Sequence, residues 1–196
     1  MAQDAEALLN KLSERAKNYG TIYASYSSSL VDLKNDFTEE MSGTILIDGG
    51  SFNLDLGDYV IISDGTTVWT YDSESNECYI DDAEMLIEEG MDPSKIFTIW
   101  EDDFKIEWKG ILDIGGRECA HINLYPLEAD EKPYHTLQLF VDETNLEVVR
   151  LILKGREGND TEYNIERFKT GSDLPDGTFQ FSKGNYPGVE LIDNRI

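Results

Sequence analysis

The sequence predicts an α+β fold that is mainly β: a large antiparallel sheet of ten or eleven strands, one N-terminal helix and one or two short helices midway along the chain. Three observations predict it. A single apolar stripe of helical period occupies the first twenty residues. Period-two alternation then recurs in short runs bounded by turn signals, almost to the C-terminus. Between about residues 81 and 103 that rhythm gives way to two short helical patterns. A sheet of this size tends to curl, and only the helices are available to cover its concave face.

The N-terminal helix spans 4–19. Ala5, Leu8, Leu9, Leu12, Ala16 and Tyr19 recur at spacings of three and four, Asp4 can cap the start and Gly20 can stop the end. Thr21–Leu33 follows as a strand in which Ile22, Ala24 and Tyr26 share one face. Strands over 43–47, 51–56 and 59–62 come next, with Phe52, Leu54 and Leu56 on one face of the second. Asp64-Gly65 marks a tight hairpin into Thr67–Tyr71, and Cys78–Ile80 continues the sheet.

Asp81–Gly90 reads as a short helix, with an Asp cap, Glu84 three residues on and a Gly stop. Asp92-Pro93 opens another, which carries Ile96, Phe97, Ile99 and Trp100. Five more strands lie near 104–109, 118–125, 136–142, 146–154 and 161–169, with turns at 115–116, 143–145 and 155–159. Every connection is short and no solenoid-type repeat occurs, so residues 1–196 are expected to form one domain.

Composition narrows the function. Sixteen Lys and Arg stand against 40 Asp and Glu, a formal net charge of −24, while 40% hydrophobic and 11% aromatic residues suffice for a core. No basic stripe exists to bind nucleic acid or an anionic membrane surface. No uncharged stretch is long enough to span a bilayer. Met1-Ala2-Gln3-Asp4 shows neither a basic region nor an apolar leader. This leaves two readings open: a cytosolic chain, or a secreted one whose signal peptide has been removed. Cys78 and Cys119 form no CxxC; they pair in an oxidising compartment if geometry allows, or stay as core thiols.

Catalytic patterns are weak. Asp81-Asp82 and Asp102-Asp103 read as caps and solvated loops. His121 sits inside a strand without a nucleophile or metal triad around it. No phosphate-binding glycine loop or EF-hand spacing occurs. No enzyme activity, catalytic residue, metal or cofactor is expected. The aromatic residues are more informative. The short Ile96–Trp100 element offers much apolar area held by few residues, which suits a lid over an apolar sheet.

The order of several motifs then becomes telling. Ile62-Ser63-Asp64-Gly65-Thr66-Thr67-Val68-Trp69-Thr70-Tyr71 resembles the "SDGKTLWxY" hairpin of LolA, the outer-membrane lipoprotein carrier family. Ile22-Tyr23-Ala24-Ser25-Tyr26 resembles its first strand, and Gly43–Ile47 with Ser51-Phe52-Asn53 resembles its next region. Phe179-Gln180-Phe181 and Pro187–Asp193 resemble its close. The resemblance implies an unclosed, half-barrel antiparallel sheet of about eleven strands with helices plugging its concave side. It also implies a periplasmic carrier, freed of its signal peptide, that holds the acyl chains of lipoproteins in an apolar cavity.

Cargo would pass from an inner-membrane lipoprotein-releasing transporter to an outer-membrane acceptor, with no stable membrane insertion and with the carrier expected to be monomeric. Where the family has an Arg that latches its lid, with a Pro next to it, this chain has Asp48-Gly49-Gly50. Either the latch differs or the lid is looser. A related lipid- or glycolipid-binding or lipoprotein-sensing module is the alternative, and a hydrolase with two carboxylates is a third. The expected cavity residues are Ile22, Ala24, Tyr26, Phe52, Leu54, Trp69 and Tyr71 from the sheet, with Leu86, Ile96, Phe97 and Trp100 from the lid. An acyl chain of roughly sixteen carbons carries about 12 kcal/mol of burial free energy, so such a carrier must shield it and still release it.

Overall fold

A computed structural model describes residues 2–88, 93–101, 104–128 and 132–195 of the chain. A single twelve-stranded sheet dominates it. The strands are β1 (Thr21–Asp32), β2 (Phe37–Asp48), β3 (Ser51–Asp55), β4 (Tyr59–Ser63), β5 (Thr67–Asp72), β6 (Glu77–Asp82), β7 (Phe104–Ile114), β8 (Arg117–Pro126), β9 (Tyr134–Asp142), β10 (Glu147–Gly155), β11 (Asn159–Thr170) and β12 (Glu190–Asp193). Their order is β12-β6-β5-β4-β3-β2-β1-β11-β10-β9-β8-β7. The two ends of this order do not pair with each other, so the sheet is unclosed, as expected. β12 adds one strand to the expected count and runs parallel to β6.

The chain divides into two compact units. The first comprises Met1–Asn18, Tyr26–Met41 and Phe97–Glu166; the second comprises Tyr19–Ser25, Ser42–Ile96 and Arg167–Ile196.

In the first unit, α1 (Ala2–Ala16) buries Ala5, Leu8, Leu9 and Leu12, which is the stripe its sequence shows. The register of β7–β10 sorts the strand residues onto two faces. Ile106 lies opposite Leu124 and Leu124 opposite Leu137; Trp108 lies opposite Ile122, Ile122 opposite Leu139 and Leu139 opposite Leu151. Ile122, Leu124, Leu137 and Leu139 are fully buried there and form the apolar core. The other face carries a polar ladder beside a small buried apolar cluster of Cys119, Phe140 and Val149. Tyr125 Oη donates to Glu107 Oε2 at 2.6 Å, Asn123 Nδ2 to Tyr125 Oη at 3.0 Å, and Gln138 Nε2 to Asn123 Oδ1 at 3.1 Å.

Three hairpins use one turn. Asp142 Oδ1 accepts from the backbone N–H of Thr144 and Asn145, and Leu146 then takes φ 51°. Asp32 does the same for Lys34 and Asn35 before Asp36, and Asp72 for Glu74 and Ser75 before Asn76. The carboxylate satisfies amides that the turn leaves unpaired, which lets a residue other than glycine take the left-handed position that follows.

In the second unit Tyr19 lies beyond the helix, which ends three residues earlier than expected, and meets Phe168 edge-on at 5.3 Å. β3–β6 form a regular antiparallel ladder. Its final covering is the segment before β12. Asn53 Nδ2 donates to Thr178 O at 3.0 Å, and Val189 is buried.

The mid-chain helices differ from expectation. β6 extends through Asp82, so α2 (Ala83–Glu88) begins two residues later than the expected Asp81 cap; the expected Gly90 stop lies outside the described residues. The helix expected to carry Ile96–Trp100 is instead two 3-10 turns, Pro93–Lys95 and Ile99–Glu101, with a plain turn between them. Ile96, Thr98 and Ile99 are β-branched, and their stiff side chains disfavour a continuous helix in so short a run.

Candidate functional site

The candidate site lies within the first unit, where α1, the 3-10 turn Ile99–Glu101 and β7 meet. A cavity of about 570 Å³ opens there, within the range of about 300–1,000 Å³ usual for small-molecule sites. Leu9 from α1, Trp100 from the turn and Ile106 from β7 supply its apolar lining. Glu6, Asn10, Ser13, Glu14, Lys17 and Glu101 form its polar remainder. Helical spacing explains the α1 side: Leu9 and Ser13 are four residues apart and share one face. Strand alternation explains Ile106, which lies on the apolar face of β7 opposite Leu124.

One hydrogen bond ties the site together. Trp100 Nε1 donates to Ser13 Oγ at 3.0 Å. The indole is almost wholly buried, so its single N–H needs this partner. At the rim Lys17 Nζ lies 2.8 Å from Glu14 Oε1. The hydrogen bond and charge of Lys17 hold the Glu14 carboxyl below its usual value, and Glu14 raises Lys17 in turn. Both are exposed, so this pair orders the rim rather than stabilising the fold.

The expected cavity residues separate. Ile22, Ala24 and Tyr26 alternate as buried positions of β1, and Tyr26 meets Tyr163 edge-on at 5.7 Å in the first unit. Phe97 and Trp100 are buried in that unit as well. Ile96 is half-buried in the second unit, and the side chain of Leu86 lies outside the described residues. Phe52, Leu54, Trp69 and Tyr71 fall in the second unit but not on one face. Phe52 pairs with Ser63 and Ser63 with Val68; Leu54 pairs with Ile61 and Ile61 with Thr70. Directly opposed residues share a face, so Trp69 and Tyr71 occupy the face opposite to Phe52 and Leu54.

Tyr71 is covered there by the C-terminal segment, with ring centroids 4.3 Å from Tyr186 and 6.3 Å from Phe181, and its hydroxyl meets Asn76 Oδ1 at 3.1 Å. Of the expected residues, only Trp100 lines the described cavity. Ser13, Leu9 and Ile106 join it unanticipated; the helical stripe and the β7 alternation were the signals that could have found them.

Elsewhere in the described residues, the histidines and cysteines have these surroundings. His121 stacks on Phe140 at 4.5 Å, and its Nε2 is buried without a hydrogen-bond partner. Burial pushes its pKa down, so the ring is neutral near pH 7. His135 Nδ1 meets Thr136 Oγ1 at 2.8 Å. Cys78 and Cys119 are both free and buried. Among the described residues no group of three or more His, Cys, Asp or Glu gathers to hold a metal ion. No helix among them is long and apolar enough to cross a membrane.

Comparison with known proteins places this architecture. Solved structures similar to it include an uncharacterized conserved protein from Thermus thermophilus. That likeness covers 97% of this chain and 99% of that one at 10% identity, with a TM-score of 0.64. LprF from Mycobacterium bovis is similar over 89% of this chain and 97% of its own, at 10% identity and a TM-score of 0.55. A DUF1329 family protein from Desulfovibrio piger is similar over 93% and 98%, at 11% identity and a TM-score of 0.52. At such identities these likenesses speak for the fold alone. Among curated proteins none matches this chain in sequence. Residues 17–182 match the family described as outer membrane lipoprotein carrier protein LolA, and the chain belongs to that family.

Proposed function

We infer that this chain is a carrier of acylated cargo, a lipoprotein above all, which it shelters from water in the periplasm on the way from the inner to the outer membrane. The observation that carries the reading is the cavity of about 570 Å³ at α1, with Leu9, Trp100 and Ile106 as its apolar lining and the Trp100–Ser13 hydrogen bond across it. Membership of a family named for lipoprotein carriage supports the cargo class. The whole chain acts as one carrier domain, and carriage makes and breaks no bond.

The polar rim fits a closed, empty state. A carrier with its apolar surface fully open would aggregate, whereas here the greasy lining is small. Entry of an acyl chain widens the site by displacing the turn that bears Trp100. A net hydrogen-bond contribution of about 1 kcal/mol is small beside the roughly 12 kcal/mol an acyl chain gains on burial. Closure by Trp100 and Ser13 therefore hides the lining without forbidding loading. Tyr26 and Phe97, buried in the same unit, are proposed to line the widened site. Trp69 and Tyr71 are not proposed to do so.

Asp48-Gly49-Gly50, where the family has an Arg, favours a second reading, in which the cargo is a lipid or glycolipid or the chain senses lipoproteins. Donor and acceptor membrane proteins follow from the first reading only. Native mass spectrometry of the protein purified from its own host tests the choice. Adducts with the mass of acylated lipoproteins support carriage. Lipid-sized adducts support the second reading, and an exclusively bare chain contradicts both.

A further inference from the structure

We propose that the β1–β2 hairpin is a docking edge for a partner protein, and that it takes an extended, basic and apolar segment as an added strand along the first half of β2. This does not rest on the cargo reading.

The hairpin is unlike the rest of the sheet. Leu33, Phe37 and Met41 are 66%, 53% and 43% exposed, an apolar group gathered into nine residues at one tip. Residues 33–42 are exposed throughout. Phe37, Glu39 and Met41 alternate onto one face of β2, and Thr38 and Glu40 onto the other. The base of this tip is fixed. Leu33 N–H donates to Gly158 O at 2.9 Å, and the Lys34 side chain lies 3.4 Å from where a Cβ on Gly158 would stand. Asp32 accepts from Lys34 and Asn35 and sets the turn. Phe37 and Met41 therefore sit on a strand, and Leu33 on the turn that leads into it. Among the described residues β3 pairs with Thr44–Asp48 of β2 alone, so there the preceding residues offer backbone N–H and C=O groups on that side to a newcomer.

Charge selects the newcomer. Asp36, Glu39 and Glu40 surround Phe37 and Met41, with Lys34 the one cation of the tip. Pairing of two copies along this edge would set Glu39 and Glu40 against their own equivalents, and like charges across a strand pair repel. An anionic membrane is repelled by the tip and by the net charge of −24. A strand with alternating Lys or Arg and apolar side chains meets the edge with hydrogen bonds, with contacts to Phe37 and Met41 on one face and an ion pair to Glu40 on the other, within the negative field to which Glu39 adds. The long edge strand β7 contrasts with this. A bulge between Trp108 and Gly110 and the side chains of Lys105 and Lys109 guard it against added strands.

The test uses the full chain and a fluorescein-labelled twelve-residue peptide alternating Lys and Val, read by anisotropy and by amide hydrogen exchange. Binding is expected, with new protection at residues 37–43. It should weaken at least tenfold in Phe37→Ser/Met41→Ser and in Glu39→Lys/Glu40→Lys. The control Glu74→Lys/Glu190→Lys should lose less than threefold. A peptide N-methylated at alternate residues should bind at least tenfold more weakly. Absence of binding, equal loss in the control, protection elsewhere, or unchanged binding of the N-methylated peptide overturns the proposal. So does binding to phosphatidylcholine vesicles, or a dimer in sedimentation, that Phe37→Ser abolishes, since the tip would then face lipid or its own copy.

Discussion

Trp100 Nε1 donates a 3.0 Å hydrogen bond to Ser13 Oγ, tying the 3-10 turn Ile99–Glu101 to α1 across 87 residues of sequence. The bond stands in the same unit as the cavity and uses the only donor the indole has. Ser13→Ala removes the acceptor and leaves a buried N–H unsatisfied. It should therefore raise the open population of the turn several-fold, a change of about 1 kcal/mol. Hydrogen exchange over residues 97–101 reads this directly. Unchanged protection there would show that packing alone holds the turn.

Asp142 makes a second prediction. Its burial raises the carboxyl pKa, but hydrogen bonds from the Asn145 side chain and from the N–H groups of Asn145 and Thr144 outweigh this and hold it below 3.8. A carboxyl lowered in the folded state contributes stability that is present above its unfolded pKa and is lost as pH falls through the folded value. Asp142→Ala should cost about 2 kcal/mol at pH 7. In denaturant titrations from pH 7 to pH 2, the gap between wild type and Asp142→Ala should narrow below about pH 4. A gap independent of pH would remove the carboxylate from the account.

Cys78 gives a third. It lies opposite Tyr71 in the β5–β6 register, and burial pushes its thiol up to about 11. Tyr186 stacks on Phe181 at 4.7 Å and covers Tyr71 on the same face. Native protein should react with a thiol reagent such as dithionitrobenzoate only slowly at pH 8. Tyr186→Ala, which removes part of the cover, should speed Cys78 labelling at least tenfold, with Cys119→Ser as background. Fast labelling of the unaltered protein would contradict a covered thiol.

A fourth concerns charge. With a net charge of −24, contact with any specific partner should run through cationic surfaces on that partner. Association with a membrane-bound donor or acceptor should slow as salt rises from 50 to 300 mM. Indifference to salt would leave the charge to solubility alone.

Much of the fold is legible in the sequence because its signals are local. The Leu8–Leu12 stripe gives α1, the Ile22–Tyr26 alternation gives β1, and Asp64-Gly65 gives the β4–β5 hairpin. β12 escapes because four residues after Pro187-Gly188 carry too little alternation, and its parallel pairing with β6 is a long-range event. The site was harder to read for a related reason. Alternation fixes the two faces within a strand but not which faces match between strands. Ser63 pairs with Val68 across the turn, so Trp69 and Tyr71 fall on the face away from Phe52. The resemblance of the Ile62–Tyr71 run to the family's hairpin groups those aromatics with Phe52 but does not say which face they take. Ser13 escaped because a serine on a helix declares no role until Trp100 is seen to need an acceptor.

The most direct test of the central claim is a calorimetric titration of the purified chain with a diacylated lipopeptide below its critical micelle concentration. Wild type should bind with a Kd in the micromolar range or tighter. Ile106→Lys, which sets a charge against the apolar lining, should weaken binding at least tenfold, while Ser13→Ala should bind at least as well as wild type. No heat of binding, or binding that Ile106→Lys leaves intact in a folded variant, would contradict the claim that acyl chains enter beside Trp100.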